Sequence, residues 1–79
     1  MSENRTDVYR VYDARGLGHA IRYFRQEAGL TQAELAERTG IPRPYLVHIE
    51  QGHETEHLRK LFRILRNLDL DLSVERRDY

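Results

Sequence analysis

The sequence has no cysteine and no tryptophan, and only two of its 79 residues are proline. Without cysteine the chain can form no disulfide, no thiolate metal site and no thiol nucleophile. No apolar run approaches the roughly 18 residues that a membrane-spanning helix needs, and the polar start MSENRTDVYR lacks the apolar core of a signal peptide. We therefore expect a cytoplasmic protein with no membrane partner.

The sequence also lacks net charge, because thirteen basic residues balance thirteen acidic ones. This balance argues against non-specific coating of nucleic acid but leaves local basic patches open. With 39% hydrophobic and 33% charged residues, the composition is typical of one small globular domain. A domain of this size buries only about 60 to 65% of its unfolded surface, so a second copy would add stability.

Apolar spacing and capping residues predict four helices, over residues 14–28, 32–39, 43–51 and 58–68. Asp13 is a cap for the first helix, and Thr31 with Glu34 forms a capping-box pattern before the second. Pro42 and Pro44 fall at the cap and first turn of the third helix, where no amide proton is needed. The chain is therefore expected to be all-α apart from its two ends.

The fourth helix is predicted to be amphipathic. Its inward stripe would be Leu58, Leu61, Phe62, Leu65 and Leu68. Its outer face would carry Arg59, Lys60, Arg63 and Arg66. This basic face could contact DNA or a protein partner, or could simply be solvated.

The first twelve residues are interpreted as an N-terminal arm, in which VYRVY is either a strand or simply extended. Arg5 and Arg10 on this arm are candidates for insertion into a DNA groove.

Residues 70–79 are interpreted as a dimerisation strand and tail, because Leu70, Leu72 and Val74 alternate with polar residues. An all-helical chain offers such a strand no partner, and unpaired backbone groups on an apolar strand are costly. We therefore expect the strand to pair with its own copy in a second subunit, which makes a homodimer.

The stretch HETEH, residues 53–57, matches the His-Glu-x-x-His signature of zinc metalloproteases. That chemistry needs both histidines one turn apart on a continuous helix, together with a third ligand. Gly52 precedes the stretch and Thr55 is a helix cap, so we expect His53 to lie before the helix that carries His57. We predict no metal site, no cofactor and no enzymatic activity.

Two short helices joined by a glycine-bearing turn and packed on a longer first helix form a helix-turn-helix unit over residues 13–69. In such a unit the second helix of the pair lies in the DNA major groove. The segment IRYFRQEAGLTQAELAERTGIPRPYLVHIEQG resembles the XRE family of phage-repressor and Cro type. The tail LRKLFRILRNLDLDLSVERRD resembles HipB-type antitoxins, in which the last helix is followed by a strand that pairs across the dimer.

The resemblance implies a lambda-repressor-like domain that binds a double-stranded DNA operator as a homodimer. It also implies autorepression of a toxin-antitoxin operon and neutralisation of a HipA-like kinase toxin. A stand-alone regulator without a toxin remains an alternative. So does a protein-interaction module that never contacts DNA.

The same resemblance implies roles for individual residues. Gln32, at the start of the second helix, would bind the DNA backbone. Four residues of the third helix would face base edges: Arg43, Pro44, Val47 and His48. Arg43 is the strongest candidate, because a guanidinium can donate two hydrogen bonds to guanine.

Tyr45 would either contact a phosphate or pack on the adjacent helix. Arg25 and Glu50 match the family's ion pair between the first and third helices. Pro42 and Pro44 depart from the family pattern, because neither supplies a side-chain donor.

Overall fold

The structure is a computed structural model that describes residues 7–77. Its elements in chain order are β1 (Val8–Val11), α1 (Ala14–Glu27), α2 (Gln32–Thr39), α3 (Arg43–Glu50), α4 (Glu56–Asn67) and β2 (Leu72–Glu75). The four predicted helices are all present. None of the helices in the described range is long and apolar enough to cross a membrane.

The predicted capping residues lie at the starts of α1 and α2. Asp13 accepts a hydrogen bond from the Gly16 amide at 2.8 Å, at the start of α1. At the start of α2 the Thr31 hydroxyl accepts from the Glu34 amide at 3.0 Å, while Glu34 accepts from the Thr31 amide at 2.8 Å. The bond from the Thr31 amide lowers the pKa of Glu34. The capping box thus fixes where α2 begins.

The prediction that the C-terminal strand has no partner in its own molecule is wrong. β1 and β2 form a two-stranded antiparallel sheet within the chain, with Tyr9 opposite Val74 and Val11 opposite Leu72. The segment VYRV, left open as strand or extended, is a strand. Because β1 hydrogen-bonds one edge of β2, the fold is four helices with a small sheet instead of an all-α domain.

The sheet is also attached to α1 through aromatic and polar contacts. The rings of Tyr9 and Tyr23 lie 5.2 Å apart, and the Tyr23 hydroxyl donates to the Asp7 carboxylate at 2.6 Å. This hydrogen bond to Asp7 raises the pKa of Tyr23 to about 12. Arg10 points away from this contact. Its Nη1 atom lies 3.5 Å from Oδ2 of Asp71, a residue just before β2. Arg5, the other basic residue assigned to the arm, lies outside the described residues.

The core lies where β1, β2, α1 and α4 meet. Val11, Ala20 and Phe62 are buried at its centre. Residues packed against them are Tyr9, Leu17, Leu58, Leu65, Leu72 and Val74. Leu72 and Val74, assigned to dimerisation from the sequence, therefore face the core of their own chain.

Only part of the predicted α4 stripe faces this core. Leu61 and Leu68 are exposed and lie with exposed Ile64 at spacings of three and four residues. Such spacings place the three side chains on one side of the helix. We call Leu61, Ile64 and Leu68 the α4 apolar flank. It lies beside the core-facing side of α4 because five apolar residues form a wider stripe than the small core covers.

Gly18 allows α1 to approach α3 closely. A methyl group on its Cα would overlap the Ile49 carbonyl oxygen and would lie 3.1 Å from the Glu50 carbonyl oxygen. Both atoms belong to the backbone of α3, which cannot move without shifting the helix. Glycine at this position therefore sets the distance between α1 and α3.

We predict that Gly18→Ala lowers the free energy of unfolding by about 1–3 kcal/mol, the usual cost of overpacking. Urea denaturation would measure it. Gly16→Ala is the matched control, since its new methyl group would meet no atom closer than 3.4 Å. The control should be neutral or stabilising by up to about 1 kcal/mol. Equal effects of the two changes would contradict the close-contact account.

Candidate nucleic-acid interface

A sharp turn separates α2 from α3. Gly40 ends α2 with φ 73° and ψ 12°, a left-handed conformation that glycine adopts at little cost. Ile41 and Pro42 complete the turn, and α3 begins at Arg43. Pro42 provides no side-chain hydrogen bond at this cap. The two short helices are thus distinct elements, as the sequence predicted.

α3 has a buried side and an accessible side. Leu46 and Glu50 are buried against the rest of the domain. The residues assigned to DNA from the sequence lie elsewhere: Arg43, Pro44, Tyr45 and His48 are exposed and Val47 is half-buried. The structure therefore places all five assigned residues of α3 where a partner can reach them.

Arg25 and Glu50 form a bidentate ion pair between α1 and α3. Arg25 Nε donates to Glu50 Oε2 at 2.6 Å, and Arg25 Nη2 donates to Glu50 Oε1 at 2.9 Å. The two side chains are only 9% and 4% exposed. These hydrogen bonds lower the pKa of Glu50 and raise the pKa of Arg25, although burial opposes both shifts. The pair is therefore charged at neutral pH.

The same guanidinium also fixes the segment before α2. Arg25 Nη1 donates to the Leu30 carbonyl oxygen at 2.7 Å. With all three of its donor nitrogens engaged, Arg25 joins α1 to α3 and to the start of the helix pair. Such a buried pair contributes orientation as well as energy, because few other geometries satisfy both charges.

Gln32 links this ion pair to the accessible surface. Its amide nitrogen donates to Glu50 Oε1 at 3.0 Å, and its amide oxygen lies 3.5 Å from Arg43 Nη2. From the sequence we assigned Gln32 to the DNA backbone. Here its half-buried side chain holds Glu50 and approaches Arg43, while its backbone amide remains at the start of α2.

The HETEH stretch is divided by the start of a helix. Gly52 has φ 81° and Thr55 caps α4, accepting from the Leu58 amide at 3.2 Å. His53 therefore precedes the helix that contains His57, as predicted. His53 instead stacks on His48, with ring centroids 4.0 Å apart. Within residues 7–77 no group of three or more potential ligands could hold a metal ion.

Sequence reasoning missed a basic face of α1. Arg15, His19 and Arg22 are exposed and line one groove together with residues of the α2–α3 pair, including Gln32 and Val47. Their spacing of four and three residues is a signal that the sequence does contain. Periodicity alone could not show that this face adjoins α3.

Comparison with known proteins agrees with the helix-turn-helix fold. The family model described as helix-turn-helix matches residues 21–74. The chain is 31% identical to antitoxin HipB of Escherichia coli strain K12 over 65 residues, which are 82% of this chain and 74% of HipB. It is 39% identical to the ImmF control region 10 kDa protein of Bacillus phage phi105 over 64 residues, 81% of this chain and 71% of that protein.

An uncharacterised HTH-type transcriptional regulator of Methanothermobacter thermautotrophicus is 46% identical over 48 residues, 61% of this chain and 70% of the regulator. No solved structure gives a significant match.

We predict that Glu50→Ala lowers the free energy of unfolding by about 3–5 kcal/mol, because it leaves the Arg25 charge buried without a partner. Replacing both residues, as in Arg25→Met with Glu50→Leu, removes the charge altogether. The double variant should therefore be more stable than Glu50→Ala in urea denaturation at pH 7. A double variant less stable than the single one would contradict this account.

The ion pair also predicts a dependence on pH. The pKa of Glu50 is lowered in the folded protein. The contribution of Glu50 to the free energy of unfolding is therefore fully present above the ordinary pKa of 4.5. It is lost as pH falls through the lower folded-state pKa. Urea unfolding at several pH values should show no change from this group between about pH 5 and 8 and a loss below about pH 4. In Glu50→Gln that part of the acid loss should be absent.

Proposed function

The chain belongs to the XRE/Cro type of the helix-turn-helix family, a family of DNA-binding regulators, and from this premise we propose that it is a sequence-specific transcriptional repressor whose α3 enters the major groove. Membership of this family makes it a regulator and not an enzyme. The observation that supports the proposal most is the two-sided α3. One side is anchored by Glu50, and the other presents polar side chains.

In this proposal Arg43 carries most of the direct base readout. Its exposed guanidinium can bond two acceptors of one guanine. Pro44 and Val47 can offer only apolar contact, for example to a thymine methyl group. Tyr45 is 54% exposed, so its hydroxyl is free to reach a phosphate. His48 completes the reading surface with one ring nitrogen donor.

We further propose that the repressor binds as a homodimer. Leu61, Ile64 and Leu68 of the α4 apolar flank are 38%, 56% and 60% exposed, and Leu70 beyond them is 52% exposed. Burial of this surface against a second copy would add about 25 cal/mol per Å² of apolar area. The edge of β2 that β1 does not occupy can pair with its own copy in the second subunit. Leu72 and Val74 would then support the interface from within each core.

A symmetric dimer of this kind would present two α3 helices to successive major grooves, about 34 Å apart. It would therefore select a palindromic operator, since the operator repeats the two-fold symmetry of the protein. An operator that overlaps the promoter would be occluded, which gives repression without any effector.

The similarity to HipB supports a more specific role. We propose that the protein is the antitoxin of a HipBA-like operon, represses its own promoter and neutralises a HipA-like kinase toxin. A stand-alone regulator is the second candidate. It is supported by the similarity to the ImmF control region protein and to the archaeal transcriptional regulator, whose names mention no toxin.

A footprint on the promoter upstream of the chain's own gene, with and without the product of the adjacent gene, would test both candidates. Protection of a palindrome together with binding of a kinase-like neighbour supports the antitoxin. Protection without a binding neighbour supports the stand-alone regulator. Absence of protection at low salt would contradict the repressor proposal itself.

We predict that Arg43→Ala reduces operator affinity by about 5- to 150-fold, equivalent to about 1–3 kcal/mol. Affinity for a scrambled duplex should fall much less, because a base contact is lost. Fluorescence anisotropy with both duplexes would measure the change. Arg59→Ala, which removes an exposed arginine near the start of α4, serves as control and should leave the ratio unchanged. An unaltered ratio in Arg43→Ala would show that Arg43 does not read a base.

We predict that Ile64→Asp converts the dimer to monomer, because it places a charge in the α4 apolar flank. Sedimentation equilibrium would show the change in mass. Ile41→Asp makes the same substitution in the α2–α3 turn and should remain dimeric. Ile64 is the better position for this test because it is exposed, whereas a charge at Leu72 would disrupt the core of the monomer. A full-strength dimer in Ile64→Asp would exclude the flank as the interface.

A further inference from the structure

A basic stripe runs along α1 on the side away from the core. Arg15, His19 and Arg22 are all exposed, and their spacing places them on one face of the helix. The core contacts of α1 come from other residues, such as Leu17 and Ala20. The basic stripe is therefore not a by-product of core packing.

The stripe faces the helix pair instead of open solvent alone. Its three residues line a groove whose opposite wall includes Thr31, Gln32, Val47 and Gln51. Val47 belongs to the accessible side of α3, and Gln32 begins α2. A ligand that follows the groove would thus contact α1 and the helix pair together.

The groove carries a net positive charge. Glu50 is the single acidic residue in its lining, and its carboxylate is already bound by Arg25 and Gln32. Within residues 7–77, neither Arg15 nor Arg22 forms an ion pair or a side-chain hydrogen bond. The hydrogen bond from Arg25 lowers the pKa of Glu50 most, and the charge of Arg22 also lowers it. Two guanidinium groups without hydrogen-bonded partners on one helical face attract an extended anion.

The position of the stripe relative to α3 is fixed by close backbone contact. Gly18 lies against the backbone of α3, and Gly52, just after α3, would place a Cβ only 2.9 Å from Arg15 Cα. At these two points the backbone of α1 is already as close to α3 and to the segment after it as a side chain would allow. Together with the Arg25–Glu50 ion pair, this close approach holds the start of the stripe beside α3.

We propose that Arg15, His19 and Arg22 form a second DNA contact surface, which binds the phosphate backbone beside the major groove that receives α3. The inference rests on the proposed function and extends it to a surface of α1. The stripe covers about 10 Å of helix at 1.5 Å per residue. One DNA strand carries a phosphate about every 3.4 Å of duplex axis, so two or three phosphates lie within reach. His19 can add one N–H donor between the two arginines.

This surface supplies affinity and register, not sequence preference. Phosphate contacts are the same for every sequence, so they raise binding to all duplexes alike. The stripe therefore helps a chain without net charge to bind DNA, because it concentrates positive charge on the side that faces the duplex.

The test is the variant Arg15→Gln with Arg22→Gln, which removes two charges but keeps most of each side-chain stem. Each phosphate contact contributes about 0.9 to the slope of log affinity against log salt concentration. We expect the slope to fall by about 1.8 in magnitude. The ratio of wild-type affinity to variant affinity should therefore be about tenfold smaller at 200 mM salt than at 50 mM salt. Operator and scrambled duplexes should lose affinity by the same factor.

Arg59→Gln with Lys60→Gln is the matched control, since it removes the same charge from two exposed positions near the start of α4. Its salt slope should equal that of wild type. Thermal denaturation of both variants checks that the fold is intact.

An unchanged salt slope in the α1 variant, with wild-type operator binding intact, would overturn this inference and leave the repressor proposal standing. Failure of wild type to bind any duplex would instead overturn the proposed function. If the variant keeps its DNA affinity but loses binding to the adjacent gene's product, the stripe binds an acidic protein surface and the proposal is wrong.

Discussion

The ion pair between Arg25 and Glu50 is the interaction on which the arrangement of the helices depends. One guanidinium holds the carboxylate of α3 with two nitrogens and the Leu30 carbonyl with the third. Two buried charges tolerate little displacement, because any other geometry leaves one of them without a partner. The pair therefore fixes α3 against α1 more narrowly than apolar packing would in a domain whose core is so small.

From this anchor the structure extends toward the accessible surface. Gln32 donates to Glu50 and lies within 3.5 Å of Arg43, so the residue best suited to read a base is oriented by the same network. Gly18 allows the backbones of α1 and α3 to approach each other closely. A rigid α1–α3 unit results. Its outer surface joins the reading face of α3 to the basic face of α1.

The two strands pack against α1 on the side opposite to α3. β1 and β2 close the core over Ala20 and Phe62, while Tyr23 and Asp7 hold β1 against α1. This arrangement leaves Leu61, Ile64 and Leu68 outside the core. The domain thus separates its surfaces, with the α2–α3 pair and the basic face of α1 on one side of α1 and the exposed apolar residues of α4 on the other.

The sequence by itself determined the elements whose signals are local. Thr31 with Glu34 and Gly40 set the limits of α2, and Thr55 separated His53 from α4, because a cap or a left-handed turn depends on residues a few positions apart. The pairing of Arg25 with Glu50 was expected only through the family resemblance, since no local pattern relates residues 25 positions apart. Tertiary structure alone decided that β2 pairs with β1, that the α4 apolar flank stays outside the core, and that Arg15 and Arg22 lie beside α3. Each of these depends on which faces of distant elements meet, and that choice is made by the packing of the whole domain.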